Sequence, residues 1–107
     1  MADSIPVQLK KGVLELCVLA VLSRGDGYAY DIAGQLAEGI EMGEGTIYPL
    51  MRRLQDEGLV ATYLAESPSG PPRKYYRLTD SGRQSLQSQK SEWTAFSRAV
   101  NAILGEG

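Results

Sequence analysis

The chain has 107 residues, 43% of them hydrophobic and 22% charged, a size and balance that fit one globular domain. It contains no histidine and one cysteine, Cys17, which excludes Ser-His-Asp and Cys-His catalysis, removes the commonest transition-metal ligand and forbids an intramolecular disulfide. The formal net charge of −2 taken alone argues against a phosphate-binding protein.

The opening segment MADSIPVQLKK carries Asp3 early and lacks the basic-then-apolar order of a signal peptide. The longest apolar stretch, residues 13–22, is interrupted by Glu15 and falls well short of the roughly 20 residues a membrane span needs. A soluble cytoplasmic protein is expected, with no membrane partner, no cofactor, no metal and no enzymatic activity.

Residues 8–23 (QLKKGVLELCVLAVLS) predict a first helix. Leu9, Val13, Leu16 and Ala20 share one face, while Leu14, Val18, Val21 and Leu22 cover much of another. A helix apolar nearly all round is covered on several sides, as a central core helix or as part of a subunit contact. Cys17 lies inside this run and reads as a buried, inert thiol. Arg24-Gly25-Asp26-Gly27 ends the helix. Residues 28–39 predict a shorter amphipathic helix with Tyr28, Ile32 and Leu36 in helical spacing and Gly39 as its stop.

Between Met42 and Leu59 the residues Ile47, Leu50, Met51 and Leu54 form an i, i+3, i+4, i+7 stripe. Tyr48 and Arg52 fall on the opposite side, flanked by Thr46 and Arg53. Pro49 fits either of two starts. With Thr46 as the cap it lies in the first turn at no cost; with a start near Gly43 one helical hydrogen bond is lost. Gly58 closes the helix. Residues 59–65 and 73–78 alternate as two strands, joined by a stiff loop over 66–72 (ESPSGPP). Tyr75 and Tyr76 are adjacent, so one faces the core and the other the surface.

From Thr79 a long helix is expected to run to about Leu104, capped by Thr79 or Asp80. Leu86, Trp93 and Val100 recur every seven residues, and Phe96 and Ile103 form a second such register. This is the seam of a helix pair, and the same helix of a second subunit is its expected partner. The fold class is therefore mainly α with a small β-hairpin. Residues 1–78 form a winged helix-turn-helix and residues 79–107 a C-terminal dimerisation helix, together one compact unit.

Seven of the eleven basic residues fall in three places: Lys10 and Lys11, Arg52 and Arg53, and Arg73, Lys74 and Arg77. In a winged helix these are the start of the first helix, the outer face of the third and the wing, where duplex DNA docks. The runs GYAYDIAGQL, GTIYPLMRRLQDEGLV and PPRKYYRLTDSG resemble the PadR family of transcriptional regulators, over roughly residues 9–104. The single last helix is similar to its short subfamily. The resemblance implies a sequence-specific regulator of double-stranded operator DNA, a repressor released by a small-molecule effector. The alternative is a winged-helix module for protein contact, in which the basic pairs are incidental.

The residues expected at DNA are Lys10, Lys11, Tyr28, Thr46, Tyr48, Arg52, Arg53, Ser69, Gly70, Arg73 and Lys74. Arg53 equally suits an i+4 pair with Glu57, and Arg73 and Lys74 equally suit charges guarding an edge strand. The dimer seam is assigned to Leu86, Trp93, Phe96, Val100 and Ile103. In PadR-like multidrug sensors a tryptophan of this helix stacks on flat aromatic ligands at the dimer interface. Trp93 holds the corresponding place, with Leu9, Leu16 and Phe96 as apolar walls. One departure stands out: Met42-Gly43-Glu44 replaces the serine or similar cap of many members. Glu44 suits either the helix dipole or a hydrogen bond from cytosine N4.

Overall fold

The computed structural model describes residues 13–37, 39–40 and 43–105. Its elements are α1 (Leu14–Arg24), α2 (Ala29–Leu36), α3 (Glu44–Asp56), β1 (Val60–Ser67), β2 (Gly70–Leu78) and α4 (Asp80–Leu104). Three helices, a two-stranded antiparallel hairpin and a long last helix make a mainly α winged helix-turn-helix fold. Among the described residues no helix is long and apolar enough to cross a membrane.

The core gathers the apolar faces of α1, α2 and α3. Val18, Leu19 and Leu22 of α1 pack with Ile32 of α2 and with Ile47, Met51 and Leu54 of α3, all essentially without solvent exposure. Each such side chain contributes about 1.5–3 kcal/mol by leaving water. Leu14, Leu16, Cys17 and Ala20 lie half-buried around them, so α1 is covered on several sides. Burial pushes the Cys17 thiol above its ordinary pKa, which keeps it protonated and unreactive.

Helix α3 takes the earlier of the two expected starts. Gly43 is its N-cap, and the amides of Thr46 and Ile47 both donate to the Gly43 carbonyl at 3.0 Å. Pro49 therefore sits inside the helix and leaves the Gly45 carbonyl without its helical donor. The helix ends in a paired-carbonyl cap. Gly58, at φ +78°, donates to Gln55, and Leu59 donates to Leu54 at 2.9 Å.

The hairpin is longer than its alternation predicts, and the expected loop over 66–72 shrinks to the turn Pro68-Ser69. Val60 pairs with Leu78 and the register holds to Ala65 with Arg73, then shifts before Ser67 with Gly70. Glu66 thus stands opposite both Pro71 and Pro72. A bulge at a free strand end suits two residues that have no N–H to donate. Gly27 adds a short third edge, exchanging two backbone hydrogen bonds with Tyr76 at 2.8 and 3.2 Å. This bridge ties the wing to the start of α2.

Helix α4 begins where the chain crosses the end of α3. Thr79 caps it, its Oγ1 accepting from the Gly82 amide at 3.0 Å while donating to the Gly58 carbonyl at 2.7 Å. The Thr79 amide donates to the Leu59 carbonyl at 3.1 Å. Leu86, expected in the dimer seam, instead belongs to the protomer's own core at 6% exposure. The first two turns of α4 pack on α1 and the hairpin, and that covers it. Beyond Leu86 no described residue of α4 is buried.

A side chain on Gly82 would run into the Leu59 carbonyl and come within 2.6 Å of Leu78 Cδ1. At an exposed helical position Gly→Ala stabilises by about 1 kcal/mol. Here the clash involves backbone and outweighs that gain. Gly82→Ala is expected to lower stability by about 1–3 kcal/mol in urea unfolding followed by circular dichroism.

Candidate nucleic-acid interface and effector cleft

The exposed edge of α3, the start of α2 and the wing meet around one groove. Its walls are Tyr28, Ala29 and Tyr30 from the α2 end, Tyr48 from α3, and Arg73, Lys74 and Tyr76 from β2, enclosing about 470 Å³. Thus Tyr28, Tyr48, Arg73 and Lys74, singled out separately along the sequence, converge in space. Tyr48 and Arg52 also flank Pro49 in an adjoining shallow cleft. Thr46, Arg52, Ser69 and Gly70 are all exposed, Thr46 and Arg52 on α3 and the others at the wing tip.

Aromatic rings stiffen the wing. Tyr63 and Tyr75 stack with centroids 5.7 Å apart, and Tyr75 meets the Tyr28 ring edge-on at 5.5 Å. The Arg73 guanidinium lies 4.6 Å from the Tyr28 ring centre, and the Lys74 ammonium 5.5 Å from that of Tyr76. These cation–π contacts hold two charges in place without neutralising them. Tyr76 is buried and Tyr75 half-buried, so the adjacent tyrosines do divide between core and surface.

Tyr30, 70% exposed, lines the groove and was missed by sequence reasoning. The available signal was its position off the Ala29, Ile32 and Leu36 stripe, which leaves a large aromatic residue no place in the core. Arg53, expected among the DNA contacts, is engaged elsewhere. Its Nη2 donates to Glu15 Oε1 at 2.8 Å and its Nη1 to Glu57 Oε2 at 3.1 Å. Hydrogen bonding to Glu15 and then to Glu57 raises its pKa above the ordinary value. The reason is rotational: Arg53 is one residue, about 100°, beyond Arg52, so it turns back toward α1. Lys10, Lys11, Leu9 and the Glu44 side chain lie outside the described residues.

On the other side of the molecule, Leu16, Trp93 and Phe96 come together. With Val13, Gln89 and Glu92 they line an open cleft of about 190 Å³ between α1 and α4. The Trp93 and Phe96 rings are 6.3 Å apart. Trp93 is 45%, Phe96 63% and Ile103 85% exposed, with Val100 half-buried. These four keep the heptad spacing along the uncovered part of α4. Among the described residues no group of three or more Cys, Asp or Glu side chains is arranged to hold a metal ion.

Residues 18–88, spanning α1 through the first turns of α4, match the family model described as the transcriptional regulator PadR-like family. The chain belongs to the PadR-like family of transcriptional regulators. It is similar to a PadR-like transcriptional regulator from Bacillus cereus, at 40% identity and a TM-score of 0.83 over 91% of this chain and 96% of that one. A PadR family regulator from Eggerthella lenta matches at 37% identity and a TM-score of 0.83, over 94% and 89% of the two chains. The negative transcriptional regulator PadR of Bacillus subtilis is 34% identical over 80 residues, covering 69% of this chain and 43% of that protein. The chain thus spans less than half of that relative, whereas it matches the two solved structures over nearly their full length. PadR membership carries DNA binding and transcriptional regulation, a function without catalysis.

The PadR wing is held to the α1–α2 turn by Tyr63, whose Oη donates to Asp26 Oδ2 at 2.7 Å. That hydrogen bond, ahead of desolvation and the Asp26 charge, raises the Tyr63 pKa above its ordinary value. A raised folded-state value means that the tie is intact up to the usual tyrosine range and is lost as pH climbs through the raised one. Titration of phenolate absorbance is expected to show one late tyrosine in the wild type. In Asp26→Asn it should ionise earlier, and unchanged curves would remove the tie.

Proposed function

We propose that this PadR-like protein is a homodimeric repressor of a pseudo-palindromic operator, released by a planar aromatic effector bound where two α4 helices meet. The observation that carries the DNA-binding part is the convergence of Tyr28, Tyr48, Arg73 and Lys74, from three separate elements, on one exposed groove beside Arg52. In this reading α3 enters the major groove. Thr46 and Tyr48 lie at phosphates or base edges near its start, and Arg52 contacts a phosphate or a guanine. Ser69, Gly70, Arg73 and Lys74 hold the neighbouring backbone, with Lys10 and Lys11 as further phosphate contacts. The repressor role draws support from the Bacillus subtilis relative, a negative transcriptional regulator.

The dimer reading rests on Trp93, Phe96, Val100 and Ile103, an apolar heptad strip that the described residues of the protomer leave partly or largely exposed. Residues 1–78 then act as the DNA-binding part and 79–107 as the dimerising helix. A two-fold axis would set two Trp93 clefts face to face, and Glu92 at the rim favours a cationic ligand. Occupancy would alter the separation of the two α3 helices, which must match half-sites about 34–36 Å apart. Differential affinity for the two spacings is what converts ligand binding into release.

Binding to duplex DNA from upstream of its own gene, followed by anisotropy, is expected to weaken steeply with salt. Arg52→Ala and Lys74→Ala should each flatten the log–log slope by about 1. Binding indifferent to salt and to Arg52→Ala would favour the protein-contact module instead. For the α4 interface, Phe96→Glu with Ile103→Glu is expected to yield a folded monomer by sedimentation. In the DNA-free wild type, rhodamine 6G is expected to quench Trp93, the chain's only tryptophan. A dimeric double variant would remove the seam, and unquenched emission the cleft.

A further inference from the structure

Glu15 occupies a place that neither DNA binding nor core packing explains. It lies on α1 with a quarter of its side chain exposed, and its two carboxylate oxygens serve different helices. Oε1 accepts from Arg53 of α3 at 2.8 Å, while Oε2 accepts from Gln89 Nε2 of α4 at 2.7 Å. Gln89 in turn lines the Trp93 cleft and is steadied by Ser85 Oγ at 2.8 Å. Arg53 follows Arg52 directly on α3. An unbroken chain of polar contacts therefore leads from the cleft wall to the outer half of the recognition helix.

We propose that Glu15 is a positioning residue that couples the Trp93 cleft to the seating of α3. The inference rests on the operator-binding reading above and adds the residue through which the two ends communicate. The carboxylate offers an acceptor on each oxygen and a charge for Arg53, whereas a glutamine has one acceptor oxygen and no charge, and its NH2 keeps the second link only if the Gln89 amide turns over to present its own oxygen. A half-exposed ion pair such as Arg53–Glu15 contributes little to stability by itself. Its consequence is geometric, because it sets the angle of the last turns of α3 against α1. A ligand stacking on Trp93 and Phe96 shares its space with Gln89. Drawing Gln89 away frees one side of Glu15, and the Arg53 contact loses its fixed partner. Reciprocity requires that operator binding be felt in the cleft as well.

The test is a double-mutant cycle on the full-length dimer, read as operator affinity by anisotropy on the upstream duplex, with folding and dimer formation checked by circular dichroism and sedimentation. Gln89→Leu and Glu15→Gln are each expected to weaken binding about threefold to tenfold, and the double variant no further than Glu15→Gln alone. Trp93 emission should shift on operator binding in the wild type and stay unchanged in Glu15→Gln. A merely structural Glu15 predicts altered melting with additive affinities. No effect of Gln89→Leu, an additive cycle, or a Trp93 response that is absent in the wild type or survives Glu15→Gln overturns the coupling while operator binding stands. A wild type that shows no specific binding sinks the operator reading and this proposal with it.

Discussion

The crossing of the start of α4 over the turn that leaves α3 joins the third helix, the wing and the long helix at one point. Thr79 uses its hydroxyl twice, donating to the Gly58 carbonyl just past the end of α3 and accepting from the Gly82 amide in the first turn of α4. Gly82 leaves room for the Leu59 carbonyl to pass, a closeness that any side chain would prevent. Gly58 adopts the left-handed conformation that turns the chain out of α3 and into β1. Within a few residues, then, α3, the wing and the long helix are joined to one another. A DNA-binding regulator depends on such rigidity to present a helix and a wing to the duplex together.

Outside the crossing, the surface divides by chemistry. Among the described residues the groove is lined by tyrosines and cations and by no acid, although the chain as a whole is net negative. The tyrosines do two jobs there. Tyr76 anchors β2 in the core and pairs with Gly27, while Tyr75 stacks on Tyr63 and meets edge-on the Tyr28 ring that lies beneath Arg73. A wing made of only two strands would be marginal alone, so its attachment to the α1–α2 turn supplies stiffness the hairpin lacks. The α4 side is apolar and open. Between the two faces run the few polar contacts of Glu15, Arg53 and Gln89.

Much of this was legible in the residues because helical periodicity reports burial directly. The Ile47, Met51 and Leu54 stripe is the buried face of α3, and Tyr48 and Arg52 stand opposite it as their spacing requires. Heptad spacing is more ambiguous, since it registers a neighbour without saying whose. Leu86 continues the Trp93 and Val100 series yet is satisfied inside its own chain, by α1 and the hairpin. Arg53 shows the same limit for charge. Its Glu57 partner was visible four residues away, but Glu15 lies 38 positions upstream and only folding brings it near. At the wing tip, Pro71 and Pro72 read as loop formers, whereas a bulge lets them sit within β2.

Local patterning determined the element order, the core stripe of α3, the winged helix-turn-helix layout and the PadR likeness, because each depends on residues within a turn or two of one another. What only the tertiary structure decided was which patterned residues were already spoken for. Leu86 and Arg53 found partners in α1, Tyr30 was left exposed at the groove, and Glu15 was placed between two helices. Periodicity gives a side chain its direction from the helix axis, but the identity of what lies in that direction depends on contacts between residues far apart in the chain.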